Sequence, residues 1–137
     1  MNRRTYLAGL LAAAAAAPGV EGQTSKKAPA GKPRPIQLHV DLAVDPRREQ
    51  EMLDNFEKIF RPVAQRQPGY IDLKMVKLRS AIEGPAPAGG KFRFVLTFES
   101  EELRQKWIKS KDHDRVWPEI EKTLTDKQFG ILLYDVY

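Results

Sequence analysis

Two histidines and two tryptophans are the residues in this chain whose types and spacing could do chemistry. Trp107, His113 and Trp117 lie close together in sequence. His113, Trp117, Ile120 and Leu124 recur at helical spacing and share one stripe. An imidazole near its ordinary pKa can take a proton from a phenol or return one. An indole offers a broad apolar face to a flat ring. These properties make His113 the candidate catalytic residue and Trp107 and Trp117 the candidate substrate-binding residues. Each also has a plainer explanation: His113 as a helix-start residue bonded to a nearby carbonyl, and the tryptophans as core. His39 and Asp41 form a second polar group, with Arg93 as a prospective partner. As metal ligands they are too few, and His39 and His113 are expected on opposite sides of a sheet, so no metal is expected. The chain has no cysteine, which excludes disulfides, thiolate nucleophiles and Cys-based zinc or iron–sulfur sites.

The elements that must position these groups are legible from periodicity. Residues 36–44 alternate strictly, with Ile36, Leu38, Val40, Leu42 and Val44 on one face and Gln37, His39, Asp41 and Ala43 on the other. Asp45-Pro46 ends that strand and can open a helix, Asp45 as cap and Pro46 in the first turn. Residues 46–67 carry a helical stripe of Met52, Phe56, Ile59 and Val63, with a kink expected at Pro62. Pro68-Gly69 stops it. A second strand is predicted over 70–78, with Ile71, Leu73 and Met75 on one face, and a third over 91–99. A Gly- and Pro-rich connection separates them. Ser100 is a good N-cap, with Glu101 and Glu102 in the first turn. The stripe of Leu103 and Trp107 is rotated by about 80° from that of His113 and Trp117, which predicts two short helices or one bent one. The last strand, 129–137, is apolar on both faces.

The order β-α-β-β-α-β is the split, ferredoxin-like α+β plan: an antiparallel sheet with helices on one face. Its last strand would leave apolar side chains bare on the far face, at a cost of several kcal/mol. A second copy facing it is the simplest cover, so a homodimer is expected.

The N-terminus reads as an address. Arg3 and Arg4 precede an apolar, Ala-rich run from Tyr6 to Ala17, too short for a comfortable membrane span. Asn2-Arg3-Arg4-Thr5-Tyr6-Leu7 resembles the twin-arginine export motif; an ordinary secretory signal is the alternative. The expected organisation is a signal peptide over 1–22, a disordered basic linker over 23–35, and one domain over 36–137. The mature protein is then exported, periplasmic or extracellular, with no stable membrane span. The formal charge is +5, but Lys plus Arg equal Asp plus Glu over 36–137. The basic excess belongs to the leader and linker, which argues against a nucleic-acid surface.

Residues 36–137 resemble the antibiotic-biosynthesis monooxygenase (ABM) family of dimeric α+β barrels. The likeness is carried by the opening strand with Asp45-Pro46, by the helix ending in Gln67-Pro68-Gly69-Tyr70, and by the strand Phe92–Glu99 running into a helix with Trp107, Ser110 and His113. The resemblance implies oxidation of phenolic or quinol-like molecules without metal or flavin, in a pocket between helices and sheet, so no cofactor is expected. Trp107 matches the helical Trp of the family. The usual Asn one turn earlier is Leu103 here. In the haem-degrading branch a strand Asn and a helical His are used, and Val40 and Trp117 stand at those positions. Two functions follow: a cofactor-independent monooxygenase acting on a small aromatic molecule, favoured by the His113 stripe, or a non-catalytic ligand-binding or stress-related barrel, favoured by Leu103.

Overall fold

A computed structural model describes residues 34–127 and 129–137. The expected leader and all of the linker but Arg34 and Pro35 lie outside these residues. The compact unit runs from Arg34 to Tyr137. Arg34 sits over the Tyr137 ring at 4.1 Å, and Pro35 O accepts a hydrogen bond from Val136 N.

Four strands, β1 (Ile36–Leu42), β2 (Tyr70–Lys77), β3 (Phe92–Phe98) and β4 (Gly130–Asp135), form one sheet in the order β2-β3-β1-β4, with every neighbouring pair antiparallel. This is the ferredoxin-like α+β fold that the element order predicts. β1 behaves as its alternation requires: Ile36, Leu38, Val40 and Leu42 are buried, and the residues between them are half-buried. They register against Phe98, Leu96, Phe94 and Phe92 of β3, which are also buried. This face carries the helices and the core.

Two sequence expectations change in detail, and a third is met in one of its two forms. The helix over 46–67 is a composite. Asp45 Oδ1 accepts from Arg47 N at 2.9 Å, as a cap should, and opens a short 3-10 turn at Pro46–Arg48. Helices α1 (Glu49–Asn55) and α2 (Arg61–Gln65) follow, joined by a π-helical turn, Phe56–Phe60. The irregularity that Pro62 demands is taken up one turn upstream, where Arg61 N donates to Phe56 O. Phe56 and Phe60 both stay buried. The face predicted for Ile71 is also wrong. Tyr70 pairs with Phe98 and Asp72 with Thr97, so a bulge leaves Ile71 as an extra residue, and it is exposed. Finally, 101–124 resolves into two helices, α3 (Glu101–Ile108) and α4 (Lys111–Glu121), each opened by a serine cap.

The far face of the sheet is polar at its centre. Asp41 and Arg93 form a two-point ion pair at 2.8 and 3.2 Å, as their side-by-side register predicts. Gln37 Nε2 donates to Thr97 Oγ1, and His39 Nε2 donates to Gln37 Oε1 at 2.7 Å. The apolar side chains lie around this network. β4 is uncovered on both sides, Leu132 and Tyr134 on the far face and Ile131 and Leu133 on the helix face. No helix among the described residues is long and apolar enough to cross a membrane.

Candidate functional site

The turn between α3 and α4 brings the predicted site residues together. Ser110 is the cause. Its Oγ accepts from His113 N at 3.1 Å, capping α4, and donates to Trp107 O at 2.7 Å, tying down the last turn of α3. One hydroxyl thereby sets the angle between the helices. The rings of Trp107 and His113 meet edge to face at 5.0 Å. Trp117, one turn beyond His113, lies nearly parallel to its imidazole at 6.2 Å. The start of α4 is held from the other side by Gln67. Its Nε2 donates to Asp112 Oδ2 and to Val63 O, each at 3.0 Å. The Gln67-Pro68-Gly69 motif thus anchors α4 to the end of α2. Gly69, at φ +90°, lies against Leu103 so closely that a Cβ there would fall 2.6 Å from Leu103 Cδ1. Only glycine fits both its backbone and that contact.

Trp107, His113 and Trp117 all line one cavity of about 180 Å³ between the helices and the sheet. Leu38, Val40, Phe94 and Leu96 form its floor, Phe129 and Ile131 its β4 side, and Phe60 and Ile108 close it with the two indoles. The rings interlock edge to face: Phe60 on Phe94 at 5.3 Å, Phe60 on Trp107 at 5.8 Å, Trp117 on Phe129 at 5.8 Å. Trp107 is buried and Trp117 half-buried. Both are therefore core residues and cavity walls at once.

Two polar side chains reach this apolar space, His113 and Arg104. Burial holds His113 below its ordinary pKa, with Asp114 opposing, so the imidazole is neutral at pH 7. Its ring nitrogens have no protein hydrogen-bond partner among the described residues. His113 does stand at the start of α4, but what is engaged there is its backbone N–H, by the Ser110 hydroxyl, and not its ring by a carbonyl. A neutral, unengaged imidazole in an apolar cavity is a base ready to accept a proton. Arg104 is absent from the residues that the sequence singles out. Its charge reads as solvated, yet it precedes Trp107 by three residues and shares its face, a spacing that could have exposed it. Glu101 binds its Nε and Nη2 at 2.7 Å each.

His39 lies on the other face of the sheet from His113, as expected. Its pKa is lowered by burial first and by Arg93 second, with Asp41 opposing. With Nε2 donating to Gln37, the neutral ring leaves Nδ1 as an acceptor, and that atom is buried without a partner. Among the described residues no three His, Asp or Glu side chains converge as metal ligands.

Solved structures place this architecture. A candidate antibiotic-biosynthesis monooxygenase from Bordetella bronchiseptica superposes with a TM-score of 0.61 at 16% identity, over 76% of this chain and 98% of that one. The fold is ABM-like. A dimeric ferredoxin-like protein of unknown function from Jannaschia sp. CCS1 gives 0.59 at 15% identity, over 75% and 98%. The hydroxynitrile lyase of Passiflora edulis gives 0.62 at 13%, over 77% and 95%. No family model and no curated protein sequence matches the chain. An ABM-like fold that serves a lyase as well as candidate monooxygenases leaves the chemistry to be argued from the cavity.

Proposed function

We propose that the protein is a cofactor-independent monooxygenase acting on a small aromatic or quinol-like molecule held in the cavity beside Trp107. The observation that carries this reading is the neutral His113 ring, unpartnered and set between two indoles on an apolar cavity. Trp107 and Trp117 hold the substrate ring. His113 removes a proton from an acidic C–H or O–H and leaves an electron-rich anion that reduces dioxygen. For a ring methylene the step balances with dioxygen as the only oxidant. One oxygen atom replaces the two methylene hydrogens as a ketone, and the other leaves with those two hydrogens as one molecule of water. Apolar walls penalise the charges that this transfer creates, and the step is kept feasible because the anion and the imidazolium form side by side as a pair and not as lone charges.

The test is oxygen uptake by the purified protein with a panel of quinols and anthrones. Uptake matched by product, and reduced about a hundredfold in His113→Ala, supports the proposal. No uptake above buffer with any of them removes the enzyme and leaves the second reading, a ligand-binding barrel without turnover. That reading is favoured by Leu103, which lines the helix where family members place a polar Asn. Tryptophan emission distinguishes it, because both tryptophans of the chain line the cavity.

We also propose that two copies pair through the far faces of their sheets. Leu132 and Tyr134 are each 46% exposed there, and the Jannaschia neighbour is described as dimeric. Export by the twin-arginine route is a third part of the proposal, supported by Arg3-Arg4-Thr5-Tyr6-Leu7. Replacing both arginines with lysine should block it, and unchanged secretion would contradict it.

A further inference from the structure

The cavity is almost wholly apolar, yet one of its lining residues carries a permanent charge. Arg104 comes off α3 three residues before Trp107, and only 13% of its side chain is exposed. Glu101 takes Nε and Nη2, leaving Nη1 with no protein acceptor among the described residues. That nitrogen is not sealed from water, since His39 Nδ1 is the only buried side-chain nitrogen or oxygen without a partner among the described residues. It is a charged donor with spare capacity on a residue that lines an apolar cavity, and a ligand that offers it an acceptor gains a charge-assisted hydrogen bond. Glu101 is the more solvated partner at 39% side-chain exposure, and it is also held by Gln105 Nε2 at 2.7 Å. The carboxylate that fixes the guanidinium can therefore yield part of it to a competing anion without being left unpaired.

Size narrows the ligand further. An apolar cavity of about 150 Å³ holds a benzene ring, so one of about 180 Å³ suits one ring or two fused rings. We propose that the site selects small aromatic acids: a mono- or bicyclic ring between the indoles, bearing a carboxylate that Arg104 receives through Nη1. Arg104 is then a specificity determinant, and Glu101 positions it. A carboxylate adds the attraction of a full opposite charge to the hydrogen bond that a neutral amide could also accept, so the preference is for the ionised group and not merely for an acceptor.

This inference rests on the reading of the cavity as an aromatic-ligand site, and the experiment separates the two. Isothermal titration calorimetry at pH 7.5 compares 2-naphthoate, 2-naphthamide and 2-naphthol on the full chain. The expected result is naphthoate binding about tenfold tighter than naphthamide. Arg104→Met should erase that difference while the two neutral ligands bind as before. Glu101→Gln, which removes the competing carboxylate and keeps the helix, should tighten naphthoate further and leave naphthol unchanged. Naphthamide or naphthol binding as tightly as naphthoate would overturn the inference and leave the cavity reading standing. No heat from any of the three would remove both.

Discussion

The two faces of the sheet each carry a half-buried histidine, and they use it in opposite ways. On the helix face His113 stands free at the edge of a cavity, its nitrogens uncommitted. On the far face His39 is built into a chain of bonds with Gln37 and Thr97, lies tilted against the Tyr134 ring at 4.6 Å, and sits beside the Asp41–Arg93 pair. Burial lowers the proton affinity of both. The difference lies in what surrounds them: one ring is left available for a ligand, while the other is locked into a surface. Desolvation alone does not mark a catalytic group; desolvation with unused hydrogen-bonding capacity facing a cavity does.

The largest effect that probes this contrast is structural. Trp107→Ala should destabilise the domain by about 3–5 kcal/mol, read by urea denaturation, whereas Val95→Ala on the far face should cost about 1 kcal/mol or less. Equal losses would mean that the two faces are equally packed. Next comes turnover. His113→Ala should lower kcat about a hundredfold with little change in fold, while His39→Ala should leave kcat within about twofold of the wild type. A reversal would move the chemistry to the other side of the sheet. Third, neighbouring residues of β4 should separate by function. Leu132→Asp should shift the protein to monomer in sedimentation velocity, and Ile131→Asp should weaken ligand binding without changing the assembly. The smallest effect is in pH. Both imidazoles lose proton affinity on folding, so the unfolded chain binds protons more tightly. Stability should be full above the ordinary value of 6.5 and decline as pH falls through it. Replacing both histidines with glutamine should flatten that slope in chemical denaturation, and an unchanged slope would assign it to the carboxylates.

Much of this was legible in the residues. The alternation of β1 displayed both faces, because a central strand with covering on one side has to separate them. The rotation between the Leu103 and His113 stripes displayed the α3–α4 break. Other features left no trace. The π turn keeps Phe56 and Phe60 on the stripe that an uninterrupted helix would use. The bulge at Ile71 lies inside a pattern that continues in period two across it. The three site residues were visible by type, but their meeting depends on Ser110 bonding in both directions, which spacing does not encode. Arg104 stayed hidden because a charged side chain on a helix is ordinarily solvated, and only the packing of Trp107 beside it shows otherwise.

The last strand is thin. Ile131 looks into the cavity, and its neighbour Leu132 looks out through the opposite side. One six-residue segment thus lines the cavity on one side and, in the proposed dimer, would contact the second copy on the other. Anything that shifts this strand on one side is felt on the other, and thermodynamic reciprocity makes the coupling mutual. If ligand affinity changes with protein concentration, self-association must change with ligand concentration by the same factor.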